Sequence, residues 1–316
     1  MVVVWGINGI AQSCVWPPMI RLSAVCFDKK TYEKSSTFVA LGGFLGQIFL
    51  YFIAWLIIKY SNFKNLFFVA FVLNVFMAVI FAISTRNISG KNNDVVRDAE
   101  VKDEKQKSPI LSFLFILILI VIAAIGALRD SIESWAPTYI YETFNIKSEN
   151  AILGSIFLPI LSVGFIYLSL LIYQKIISNP IILSLIYFVL ALVFVILLIT
   201  IGSSSTVLTF ALMALIFGLS CGTNHCLISY IPIYFKDTGK VSTIASILNA
   251  FTYAGSAIAT YAIAIISNEN NYGWKGAIFV WLGLIIFAVI LFAALVVPWN
   301  NKVKRLSSSN CEIEIK

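Results

Sequence analysis

The sequence predicts an all-α, polytopic bundle of membrane-spanning helices, and three observations carry that prediction. Apolar side chains make up 60% of the 316 residues and charged ones only 12%, against roughly 45–50% and about 25% in soluble domains. Mean hydropathy is +0.94. Nine apolar runs alternate with polar connections, each run near the ~20 residues that cross a bilayer as a helix. A water-soluble enzyme, a disordered chain and a disulfide scaffold are excluded.

The first run, 2–26, starts directly after Met1 with no basic segment before it, so it reads as a helix and not as a cleavable leader. Within it, Trp16, Pro17 and Pro18 are expected to bend the helix, because proline removes a backbone donor. Runs 37–58 and 66–84 follow, and in the former Gly42 and Gly46 form a small-residue face expected to pack closely on another helix. The segment Arg86–Ser108 is long, strongly charged and free of aromatics, which reads as a linker between two bundles. Six further runs come after it, at 110–128, 151–173, 181–201, 206–230, 241–267 and 276–297. The expected organisation is a partial N-terminal bundle of three helices (1–85), the linker (86–108), a six-helix bundle (109–300) and a tail (301–316).

Charge placement orients the chain. With connections assigned to alternate sides, 16 of the 22 Lys and Arg fall on the linker's side and four on the other. That bias predicts a cytoplasmic linker and C-terminus in a multi-pass plasma-membrane protein. The same sparse placement explains the net charge of +7 without nucleic acid. Five cysteines form no CxxC pair and there is one His, so neither a metal site nor a cofactor is expected. The abundance of Ile, Asn and Lys suggests an AT-rich bacterial genome.

Two strings are unusual inside membrane segments. Ile7–Arg21 (INGIAQSCVWPPMIR) places Asn8, Gly9 and Gln12 ahead of Trp16-Pro17-Pro18 and Arg21. Leu128–Ile140 (LRDSIESWAPTYI) places Arg129 ahead of Trp135, Pro137, Thr138 and Tyr139. The first resembles the fourth helix, and the second the seventh helix, of the organophosphate:phosphate antiporters. That family holds the glycerol-phosphate and sugar-phosphate permeases of the major facilitator superfamily. The resemblance implies helices four to twelve of a twelve-helix fold, so that the first three are missing and the reading frame looks truncated. It departs at Leu45, where the family carries a His, and at Gln174-Lys175, where it carries Asp-Lys.

Polar groups inside a bilayer need partners or a cavity, which makes them candidates for function. Arg129 and Glu133, four residues apart, share a helical face with Asp130 beside them. Arg129 is expected to anchor an anionic group, with Asp130 or Glu133 as counter-ion or proton carrier. The alternative is an ion pair capping the helix at the outer interface. Asn8 and Gln12 also share a face, and Asn249 and Tyr253 recur on one polar stripe. These four, with Arg129, are the candidate substrate contacts. His225 is a further proton candidate, and Pro137 a second helix bend. The expected function is secondary transport of a small organic anion such as a sugar phosphate or glycerol phosphate, coupled to inorganic phosphate or a proton. A monomer is expected and no catalysis. A transporter-like receptor or an inactive remnant is the alternative.

Overall fold

The computed structural model describes residues 15–61, 63–85, 113–235, 240–268 and 272–313. Eight helices among them are long and apolar enough to cross a membrane. They match the second to ninth apolar runs, and most of the first run lies outside the described residues. Short α1 (Trp16–Cys26) is followed by α2 (Lys29–Tyr60) and α3 (Phe63–Thr85). Beyond residue 112 come α4 (Phe113–Phe144), a short α5 (Ser148–Gly154), α6 (Phe157–Lys175) and α7 (Pro180–Ile201). The chain ends with α8 (Thr206–Ile233), α9 (Val241–Ile266) and α10 (Gly273–Ile313).

Local chemistry sets several boundaries. The Asp28 carboxylate accepts the Lys30 N–H at the start of α2, and the Thr31 hydroxyl holds its pKa below the usual range. Asn179 caps α7 by accepting from the backbone of Ile181 and Ile182, with Pro180 in the first turn. There proline costs nothing, because first-turn N–H groups have no intrahelical partner. Pro17 and Pro18 likewise open the described helix α1, and the segment they were expected to bend away from lies outside the described residues. Pro137 sits inside α4, which continues through it to Phe144.

The core gathers α4, α6, α7, α8 and α10. Its largest buried side chains include Trp281, Phe292 and Phe217, and the Trp281 indole N–H donates to Ser131 Oγ at 3.0 Å. Helix α8 is the most enclosed span, whereas the apolar window of α3 buries nothing. Phe67, Phe68, Phe71 and Phe81 of α3 are exposed, as side chains facing lipid are. Helices α4 and α9 approach most closely: a Cβ on Gly126 would run into the Thr252 backbone, and one on Gly255 into the Ala123 backbone. The expected packing face on α2 is not found among the described residues, since a Cβ on Gly42, Gly43 or Gly46 would meet nothing within 4 Å.

Candidate functional site

A cavity of about 960 Å³ lies between α1 and α2, from before residue 86, and α6, α8 and α9, from after residue 112. Trp16 and Phe44 line it from the first pair; Asn224, His225, Asn249 and Tyr253 line it from α8 and α9. Asn249 and Tyr253 were legible as a polar stripe, and the structure puts both on the wall. Neither side chain has a hydrogen-bond partner among the described residues. Asn224 receives only the Thr252 hydroxyl, at 3.4 Å on its Oδ1, so its amide N–H groups are free.

One end of this cavity is closed by hydrogen bonds between α2 and the far ends of α6 and α8. The Tyr32 hydroxyl donates to the Ser229 carbonyl at 2.7 Å. Thr37 Oγ1 lies 2.9 Å from His225 Nε2 and 3.1 Å from the Tyr230 hydroxyl. Gln174 donates to the buried Glu33 carboxylate at 2.9 Å. Tyr173 stacks on Tyr230 with ring centroids 4.4 Å apart. All of these groups sit at the end where α2 begins and α6 and α8 finish, which is the linker's end of the bundle.

The latch depends on a local irregularity of α8. Residues Cys226–Tyr230 form a π-helical turn, a widening that recurs at functional sites because it re-aims side chains. His225, just before it, lines the cavity and joins the latch at once. The Thr37 hydroxyl spends its proton on the Glu33 carbonyl at 2.7 Å, so His225 Nε2 must donate to Thr37. Its Nδ1 lies 3.2 Å from Ser229 Oγ. His225, a candidate proton carrier from sequence, thus has a hydroxyl partner at each ring nitrogen.

The charged residues sit elsewhere. Arg129 lies 16 residues from the start of α4 and 15 from its end, at mid-helix, so an ion pair capping the helix at the interface does not describe it. Its Nε donates to Asp130, and each side chain is only 15% exposed. Glu133 accepts from the Gln47 amide of α2, a bond that ties α4 to a helix from before the linker. Arg129 is not among the residues lining the cavity, although Cys221 is. Asn8 and Gln12 lie outside the described residues.

Sequence reasoning overlooked Gln47, Thr37, Tyr230, Glu33 and Phe44. Gln47 falls on the face of α2 four residues past Gly43, and a lone amide in an apolar run was the available signal. Glu33 and Tyr32 sit in a stretch read as a connection, because α2 starts about two turns earlier than its apolar run. Among the described residues no group of three or more His, Cys, Asp or Glu could hold a metal ion.

A family model described as Major Facilitator Superfamily matches residues 1–260. No curated protein matches the chain.

Proposed function

The chain belongs to the major facilitator superfamily and is a multi-pass membrane transporter of that type, and we propose on that premise that it moves a small polar solute by alternating access. The observation that supports this reading is the cavity between helices from both sides of residues 86–108, latched at one end by bonds that cross between them. Helices up to residue 85 form one rocking half and those after residue 109 the other. Alternation then means breaking the latch while closing the opposite end. With the linker and C-terminus cytoplasmic, as the charge bias favours, the latched state is closed to the cytoplasm.

The coupling ion we assign is the proton, and its carrier Glu133. His225 is committed to two hydroxyls and Asp130 to Arg129, while the Glu133 carboxylate reaches across to the other half through Gln47. Protonation changes what that carboxylate can accept, so it changes a bond that both halves share. Exchange against inorganic phosphate finds less support, since Arg129 already has a carboxylate partner.

The experiment is cross-linking of the latch. Cysteines replacing Lys30 and Gln174, whose backbone and side chain meet at 3.3 Å, are oxidised in a chain whose native cysteines are serine. In proteoliposomes, uptake should stop on oxidation and return on reduction. Uptake that continues at its full rate through the cross-linked protein refutes alternation at this interface.

A further inference from the structure

We infer that the cavity takes an uncharged solute bearing hydroxyl or amide groups, and not the organic anion that the sequence motifs imply. This deepens the transport reading above and rests on it. The described wall carries no Asp, Glu, Lys or Arg: its polar members are Asn224, Asn249, Tyr253, Ser246 and His225, whose ring nitrogens face the Thr37 and Ser229 hydroxyls. The fourteen residues before Val15 contain no Asp, Glu, Lys, Arg or His, so no charged side chain can come from there.

The nearest charge cluster does not favour an anion either. Arg129 stands as one cation against two carboxylates, Asp130 bonded to it and Glu133 four residues on. With Glu133 ionised the group is net negative, and with Glu133 protonated it is neutral. Neither state offers a positive excess, and a like charge brought into a desolvated site is strongly disfavoured. The guanidinium already gives its Nε–H to Asp130, so a substrate anion reaching its other N–H groups would approach that carboxylate as well.

What the wall does offer is neutral hydrogen bonding beside aromatic faces. The Asn249 amide and Tyr253 hydroxyl are unpaired among the described residues, and the Asn224 amide hydrogens are unpaired as well. Trp16 and Phe44 add ring surface from α1 and α2. An amide presents both donors and an acceptor, which suits a hydroxyl that must give one hydrogen bond and take another. The volume of about 960 Å³ sits at the upper end of small-molecule sites, roughly 300–1,000 Å³.

The test uses matched skeletons that differ only in charge. Purified full-length chain in proteoliposomes is offered radiolabelled glycerol, ribose, glucose and uridine, each beside its phosphate monoester. Saturable uptake of an uncharged member, with no uptake of its ester, is the expected result. Asn249→Ala should then raise KM roughly 3- to 10-fold, the worth of one neutral hydrogen bond, with kcat nearly unchanged. Tyr253→Phe is the milder second variant, should Asn249→Ala fold poorly. Saturable uptake of the esters alone overturns the inference and leaves transport standing. Uptake of no probe, by protein whose Lys30–Gln174 cross-link forms normally, overturns both.

Discussion

Replacing Gly255 by alanine should loosen the bundle where α4 and α9 cross, and Gly46→Ala should do the reverse. A Cβ on Gly255 would stand 2.6 Å from the Ala123 carbonyl carbon and 2.9 Å from its Cα. Carbon atoms pack at about 3.5–4.0 Å, so one helix must retreat by roughly 1 Å. Both clashing atoms are backbone, which no rotamer change can move. Overpacking of this kind costs about 1–3 kcal/mol, and the better helix propensity of alanine returns about 1 kcal/mol. The expected net effect is therefore a loss of up to about 2 kcal/mol. At Gly46 nothing lies within 4 Å, so only the propensity gain remains and stability should rise by about 0.5–1 kcal/mol. Gly126→Ala, whose Cβ would lie 2.8 Å from both the Thr252 carbonyl carbon and its Cγ2, should behave like Gly255→Ala. Because both glycines serve one crossing, the double variant should lose less than the two singles combined. The assay is reversible unfolding of the purified protein in mixed micelles, followed by tryptophan fluorescence against rising denaturing detergent. A Gly255→Ala protein as stable as the parent, or a Gly46→Ala protein equally weakened, would refute the reasoning. Since α9 also carries Asn249 and Tyr253, the retreat should weaken solute binding as well.

Three further perturbations address the latch and the charges. Tyr32→Phe removes the donor that satisfies the buried Ser229 carbonyl, costing the closed latch about 1–3 kcal/mol. In a variant keeping only Cys221, a buried cysteine on the cavity wall, permeant maleimide should react about tenfold faster, and an unchanged rate counts against the latch. Glu133→Gln should abolish accumulation driven by a pH gradient while counterflow of preloaded solute continues. Accumulation that persists would take the proton away from Glu133. Asp130→Asn leaves the Arg129 guanidinium inside the helix bundle without its carboxylate, at a cost of about 3–5 kcal/mol, so its unfolding midpoint should fall well below that of Glu133→Gln. Equal midpoints would show that Glu133 shares the pairing.

The membrane-spanning helices were open to reading from composition because a bilayer admits little else: a backbone in hydrocarbon must satisfy its own hydrogen bonds. Periodicity went further on single helices. It put Asn249 and Tyr253 on one stripe, and the structure places that stripe on the cavity wall. It put Arg129 and Glu133 on one face, where their mid-helix position became visible only once α4 was seen to run on to Phe144. Apolar runs end at the first charges, so the polar continuations of α2 and α4 were read as connections, and the latch residues Tyr32 and Glu33 went with them.

Which helices meet was decided by tertiary packing alone. Thr37 and His225 are 188 residues apart, and no local pattern links them. Glycine spacing pointed to Gly42 and Gly46, yet the close crossing belongs to Gly126 and Gly255. A small residue permits close approach, but only the facing helix determines whether that approach occurs. The same holds for charge: sequence made Arg129 a candidate anion anchor, and the fold sets the Asp130 carboxylate against its guanidinium. One chain fixes which residues lie along each helix, while the electrostatics of a site depend on distances between helices, and those come from the fold.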